Sequence, residues 1–251
     1  MALSGDGGDE LFAGYDPFKV LTKAQMYNRL VPKPVHNVIA AIAARLPVSL
    51  RNMSFDFKIN RGLRGLDRRP AIWNPIWLGP ASPAEISALL GGSADPEELY
   101  GEAIAAWDGA QATSLIDRTL EFYTNFYLPD DILVKSDRAS MRVGLEVRAP
   151  FLDNDVVDFA ARLPHTAKLK GRTTKWILKE ASRRRMPDKL LGRRKKGFGI
   201  PIAAWLREMP LAALGRQSAL APAAVAELWE RHRTGRGDHR GSLWCALTLT
   251  G

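Results

Sequence analysis

Asp6, Asp9 and Glu10 share the stretch SGDGGDELFAGY with Gly5, Gly7 and Gly8, and Ser4 stands directly ahead of them. Glycines let a backbone turn tightly and aim successive N–H groups at one point, an arrangement that binds anions where a helix begins. Carboxylates on the same loop repel a phosphate unless a divalent cation lies between, and Mg²⁺ held by one or two carboxylates together with phosphate oxygens resolves the conflict. The stretch therefore predicts a nucleotide or pyrophosphate with its metal. Asp6 and Asp9 also fit a plainer role, capping a helix and favouring its positive end.

The second candidate is Gly171-Arg172-Thr173-Thr174-Lys175. Arg172 and Lys175 fall in the first turn of a predicted helix, where a cation is unfavourable by about 0.3–1 kcal/mol. An approaching anion would reverse that sign; two solvated basic side chains are the alternative. A third block, LVKSDRASMRVGLEVRAPFLD, sets Lys135, Asp137, Arg138, Glu146, Arg148 and Asp153 among apolar residues, a pattern that suits a buried or semi-buried ion-pair network of structural kind. A fourth, Arg193-Arg194-Lys195-Lys196 before GFGIP, suits a loop closing over phosphates or a solvated turn. His36, His165, His232 and His239 show no metal-ligand spacing, and no Ser/His/Asp order suggests a hydrolase.

Mostly helices must position these groups. Leu3 is expected to end a strand, and ELF with Tyr15 to begin a helix. VHNVIAAIAARL at 35–46 carries a helical period that Pro47 ends, whereas 60–80, rich in Gly, Pro, Arg and Trp, reads as an irregular connection. Ser82-Pro83-Ala84-Glu85 and Asp95-Pro96-Glu97-Glu98 are helix starts with a cap, a proline at the first helical position and a glutamate three residues on. Ile116, Leu120, Tyr123 and Tyr127 share one face of a helix over 113–127, which Leu128-Pro129-Asp130-Asp131 stops before the next, ILVKSDRASM. Asp153 caps NDVVDFAARL, whose apolar face is Val156, Phe159, Ala160 and Leu163, and a last clear helix runs from near Thr173 to Pro187. Strand-like alternation is nearly absent, so the chain reads as mainly α.

The 251 residues are 46% hydrophobic, enough for a substantial core, and 36 Lys and Arg against 27 Asp and Glu leave a net charge of +9. That surplus favours anionic partners. A nucleic-acid reading rests on this charge and the 193–196 run alone, and is disfavoured. A single cysteine, Cys245, excludes an intramolecular disulfide and a thiolate metal cluster. Apolar runs fall short of the ~20 residues a membrane helix needs, so the expectation is a soluble cytoplasmic protein with no membrane partner.

In combination, SGDGGDELFAGY at 4–15, LPDDILVKSDRASMRVGLEVRAPFLD at 128–153, GRTTKWILKEA at 171–181, KKGFGIPIAAWLR at 195–207 and, more loosely, the stretch from His239 to Leu247 ending in LWCAL resemble the C-terminal synthetase domain of the glutamine-hydrolysing asparagine synthetases. Five matches in the family's order are far more specific than any one of them. The resemblance implies the C-terminal helical part of an α/β adenine-nucleotide α-hydrolase-like domain, the PP-loop ATP pyrophosphatase type. It implies a ligase in which ATP adenylylates the side-chain carboxylate of aspartate with release of pyrophosphate, and ammonia then displaces AMP to give asparagine. On that resemblance Ser4, Gly5, Gly7 and Lys175 hold ATP and its pyrophosphate. Asp6 and Lys175 are the catalytic pair, Asp6 the Mg²⁺ ligand, and Asp9 and Glu10 bind the amino-acid substrate. The family's N-terminal glutaminase cysteine has no counterpart, since Ala2 follows Met1, and no S-G-G-x-D-S string occurs. The expected organisation is therefore a partial synthetase domain over 1–251, with the glutaminase domain and the first half of the synthetase domain absent and a separate N-terminal half as a partner. A non-catalytic scaffold of the same family, or a relative amidating another carboxylate, is the alternative.

Overall fold

With so little period-two alternation the chain has few segments able to pair as strands, and the computed structural model is accordingly mostly helical. It describes residues 1–49, 51, 54–193, 200–214 and 220–249. The chain divides into two compact units, one formed by Met1–Met26 with Ala105–Lys196 and the other by Tyr27–Ile104 with Gly197–Gly251.

In the first unit, β1 (Ala2–Leu3) and β2 (Val147–Arg148) pair in parallel, Ala2 opposite Val147 and Leu3 opposite Arg148. Backbone bonds from Ala2 N to Glu146 O and from Ser4 N to Arg148 O, both 2.8 Å, extend the pairing at each end. The SGDG loop thus emerges from the carboxyl end of a parallel strand, where ligands of α/β proteins bind. Below it, buried Leu11, Phe12 and Ala160 pack with Phe151, Leu152, Val157, Leu163, Ile177 and Leu178. The helix Asn154–Arg162 is capped by Asp153, whose carboxylate accepts from Asp155 N at 3.0 Å. Its inward face is Val157, Ala160 and Leu163, and Phe159, assigned inward from periodicity, is 55% exposed.

Two expectations, one for the aromatic helix and one for the charged block after it, are corrected. Leu115–Phe122, capped by Ser114, does not stop at Leu128-Pro129: it runs on as a π-helix over Tyr123–Leu133, with Pro129 inside, and then as the helix Val134–Met141. The wider π winding carries the carbonyl four residues back away from the proline ring, and the missing N–H costs one bond. The Lys135-to-Asp153 block is not a buried network either. Lys135, Asp137 and Arg138 are exposed, Arg148 pairs with Glu146 two residues away, and Asp153 serves as the cap.

The second unit packs Leu89, Leu206, Leu214, Leu220, Val225, Leu228, Leu243 and Ala246 into its core. These come from the helices Pro83–Leu90, Ile202–Glu208, Pro222–Arg233 and Arg240–Thr248 and the segments beside them. Ser82 forms a complete capping box with Glu85, and Asp95 accepts from Glu97 N at 3.1 Å. The predicted helix over 35–46 is present as Lys33–Ala43. The supposed irregular connection at 60–80 is largely helical: Phe55–Leu63, a 3₁₀ turn at Pro70–Ile72, and Trp73–Leu78. Ile72, Trp73 and Ile76 are at most 1% exposed, and the Trp73 and Trp77 indoles donate to the carbonyls of Arg68 and Arg64 at 3.0 and 3.1 Å. Burial on nearly every side erased the amphipathic period there, and the energy of burying two tryptophans outweighs a composition that favours loops. No described helix is long and apolar enough to cross a membrane.

Candidate functional site

From Asp6 to Ala13 the chain makes consecutive turns, with Gly8 N bonded to Gly5 O at 3.2 Å, Leu11 N to Gly7 O at 2.9 Å and Gly14 N to Asp9 O at 2.7 Å. The expected helix at ELF does not form. Leu11 and Phe12 are drawn into the core, and Ala13 takes φ 54°, a left-handed conformation that no helix can continue. The loop's amides therefore sit in a turn rather than at a helix N-terminus. Gly7 is favoured by its φ of 85°, and a Cβ there would lie 2.3 Å from Leu152 Cδ2 and force that side chain to shift.

The second segment docks onto the first. Lys170 and Thr173 form a tight bridge, bonded at 3.1 and 2.9 Å, which reverses the chain through Gly171 at φ 61°. The Lys170 ammonium lies 4.5 Å from the centre of the Trp176 ring and secures this turn. The helix begins at Trp176, later than predicted, so Arg172 is an exposed turn residue outside it and Lys175 is the N-cap. Lys175 adopts φ 53°, ψ 37°. Its N–H donates to Phe12 O at 3.1 Å, and its Nζ sits 2.9 Å from Asp9 Oδ1. Ala13 and Lys175 are the two non-glycine residues with positive φ among those described, and they lie on the two strands of chain that meet here. Side chains in this region cost about 1–2 kcal/mol, and such strain concentrates at functional sites.

Each residue expected at the site has a definite place. Ser4 Oγ donates to Asp6 Oδ2 at 3.0 Å, and both side chains are half-buried. Gly5 faces open space, with nothing within 4 Å of a hypothetical Cβ. Asp9 and Lys175 form an ion pair with side chains 24% and 30% exposed. Glu10 is instead turned inward, 1% exposed, and accepts a hydrogen bond from Tyr15 Oη. Sequence reasoning missed this floor of the site: Tyr15 stacks on Tyr123 with centroids 5.0 Å apart and meets Tyr127 edge-on at 5.5 Å. The one signal available was the i, i+4 spacing of Tyr123 and Tyr127, which reads equally as core. Burial, then the bond to Glu10, drives the Tyr15 hydroxyl far above its ordinary pKa, so it remains a donor to the carboxylate.

The donor set allows a metal only with help. Among the described residues no three His, Cys, Asp or Glu side chains converge to hold an ion. Asp9 is committed to Lys175 and Glu10 to Tyr15, which leaves Asp6, whose second carboxylate oxygen can take one position on Mg²⁺ while phosphate oxygens and water take the rest. An anion arriving at the loop would meet turn amides and an ammonium that can exchange Asp9 for it. The other basic run, Arg194 to Lys196, lies outside the described residues.

The profile of the family described as asparagine synthase matches residues 1–250. A Mycobacterium tuberculosis protein provisionally named an asparagine synthetase (glutamine-hydrolyzing) is 34% identical over 98% of this chain and 38% of its own length. Asparagine synthetase (glutamine-hydrolyzing) 1 of Bacillus subtilis is 29% identical over 98% of the chain and 39% of its length. A protein of Gibberella zeae named amidase chry2 is 22% identical over 81% of the chain and 32% of its length. The chain thus spans less than two-fifths of these relatives. No solved structure matches it significantly.

Proposed function

The chain belongs to the asparagine synthase family, and from that premise we propose that it supplies the phosphate-facing wall of an ATP-dependent ligase that converts aspartate to asparagine. The observation that carries this reading is the convergence of the SGDGGDE loop with Lys175, tied by a backbone bond and an ion pair and built on two left-handed residues. In the proposed reaction an oxygen of the aspartate side-chain carboxylate attacks the α-phosphorus of ATP, and pyrophosphate departs. Ammonia then attacks the acyl carbon of β-aspartyl-AMP, AMP leaves, and the ammonia nitrogen gives up its proton to solvent.

Each residue has a part. Ser4, Gly5 and Gly7 present hydroxyl and backbone to ATP and the pyrophosphate, and Asp6 holds Mg²⁺, which neutralises charge on the phosphates when bound. Lys175 swings from Asp9 to the departing pyrophosphate. Preorganised positive charge at that point is worth several kcal/mol, about 2.7–4 for one well-placed donor in other enzymes. Asp9, released from Lys175, and Glu10 serve the amino-acid side, Glu10 by setting the charge behind Asp9 rather than by direct exposure. The parallel β1–β2 pair, with its loop at the carboxyl end, supports placement within a PP-loop-type α/β domain.

The rest of that domain, and the ammonia that the relatives' names imply comes from glutamine, belong on this reading to a second, N-terminal part. The test supplies ATP, Mg²⁺, aspartate and ammonium to the chain with and without a partner polypeptide bearing the S-G-G-x-D-S loop, and measures pyrophosphate and AMP. Release with aspartate in the reconstituted mixture is expected. No pyrophosphate from the mixture overturns the reading, and release with another carboxylate in place of aspartate moves the substrate.

A further inference from the structure

In the second unit, residues of Lys33–Ala43, Phe55–Leu63 and the segment 236–241 line a cleft of about 470 Å³ that shares no residue with the SGDGGDE loop. The size lies within the range of about 300–1,000 Å³ typical of small-molecule sites. One wall is apolar, made by Ala40, Ala44, Leu46 and Leu63. Arg61 and Arg64, one turn apart, line the cleft as well.

Among the described residues Arg61 has no carboxylate partner in this cleft. Arg61 donates through Nε to Trp77 O and through Nη2 to Gly79 O, both at 2.7 Å, so its hydrogen bonds go to neutral carbonyls. Burial, followed by the nearness of Arg64, lowers its pKa to about 10. The three carboxylates of the lining have other hydrogen-bond partners, and Asp56 accepts from Ser49 N at 3.0 Å. Asp238 pairs with Arg240 at 2.6 Å, and Glu85 accepts from His239 Nδ1 at 2.7 Å and from the Ser82 cap, leaving Arg64 at 3.9 Å. His239 Nε2, in the same lining, is buried without a hydrogen-bond partner. Of these two neighbouring guanidinium groups, Arg64 has Glu85 only at 3.9 Å and Arg61 has no described carboxylate within ion-pair distance, so a further anion is favoured between them.

We propose that this cleft binds a small organic carboxylate, its head group between Arg61 and Arg64 and its apolar body against Ala40, Ala44, Leu46 and Leu63. Guanidinium forks match a carboxylate in geometry as well as charge. A phosphate dianion fits less well, because its second charge would face Glu85 and Asp238. The ligand is distinct in chemistry from ATP, and binding does not depend on the ligase reading.

Calorimetric titration of the full chain with phenylbutyrate, phenylbutanol and inorganic phosphate tests this, with folding of each variant confirmed by circular dichroism. Phenylbutyrate should bind about tenfold or more tightly than its neutral alcohol, and more tightly than phosphate. Arg64→Gln should weaken it about tenfold or more. Ala44→Phe, at an exposed position on the apolar wall, should block it by filling space. Equal binding of the alcohol, undiminished binding in both variants, or no heat from phenylbutyrate at millimolar concentration would each overturn the proposal.

Discussion

The Lys175 ammonium lies 2.9 Å from the Asp9 carboxylate, while the Lys175 backbone is held at φ 53° by its bond to Phe12 O. A lysine is a poor choice for a left-handed cap, where glycine carries no steric penalty, so its side chain must supply what its backbone loses. A surface-edge ion pair contributes at most about 1 kcal/mol, no more than the strain it accompanies. Stability therefore does not account for this residue, whereas the phosphate contact proposed for it would.

Two substitutions separate those terms. Lys175→Met loses the ion pair and keeps the strain, so it should unfold at lower urea, by about 1 kcal/mol. Lys175→Gly loses the pair but relaxes the backbone, and should recover about that amount. Both should lose ATP–Mg²⁺ binding by calorimetry. Undiminished binding in Lys175→Met would remove the lysine from the phosphate site.

Gly14 and Gly5 offer a contrast within one loop. A Cβ on Gly14 would lie 1.9 Å from Asp9 Oδ1 and 2.4 Å from Lys175 Cε, both at the ends of flexible side chains. Gly14→Ala should therefore part the ion pair with a modest fall in melting temperature. Gly5→Ala meets nothing within 4 Å and should leave the melting temperature unchanged. If the Gly5 backbone faces the nucleotide, the added methyl weakens ATP binding all the same. A Gly5→Ala chain that is equally stable and binds ATP normally would place the nucleotide elsewhere.

The tyrosines predict alkaline behaviour. Burial first, with acidic neighbours adding to it, raises Tyr15, Tyr123 and Tyr127 well above the ordinary 10.0. A group whose folded-state pKa is raised contributes its stability fully below pH 10 and loses it as pH climbs beyond, at about 1.4 kcal/mol per pH unit for each group. Absorbance at 295 nm should show these three ionising together with unfolding, detected in parallel by circular dichroism. Ionisation of Tyr15 in the folded chain near pH 10, revealed by the difference from Tyr15→Phe, would mean that the hydroxyl is not held by Glu10.

What the sequence discloses and what it hides follow from the range of each interaction. The Ser82, Asp95 and Asp153 caps were legible because the capping side chain and its N–H partner lie two or three residues apart. The SGDGGDE loop and Lys175 could be named from residue type and resemblance, yet the bond from Lys175 N to Phe12 O has no local signature. The helix expected at ELF failed because burying Leu11 and Phe12 won over local propensity, and Pro129 failed as a stop because a π winding tolerates it. Tyr15 beneath Glu10 was hidden for the same reason as Arg61 beside Arg64 in the cleft: burial sets the chemistry of both, and burial belongs to the fold.

Glu85 joins the capping box of one helix to His239 at the start of another, and its titration should be visible in the acid limb of stability. Burial alone would raise this carboxyl, but the His239 bond, the two bonds from Ser82 and the charge of Arg64 outweigh it and bring the pKa down to about 2 from 4.5. A lowered folded-state value means that the contribution is complete above pH 4.5 and is lost as pH falls from there toward 2. The side chain is 13% exposed, so solvent screens it little, and the shift corresponds to about 3 kcal/mol. Urea unfolding of the wild type should therefore weaken between pH 5 and pH 2 by about that amount from this group. Glu85→Gln keeps the shape and an acceptor for Ser82 N but carries no charge, so it should be less stable at pH 7 and flatter across the acid range, and the two curves should approach each other near pH 2. A difference that stays constant down to pH 2 would show that Glu85 acts through packing and neutral hydrogen bonds, and that its link to His239 carries no charge-dependent energy.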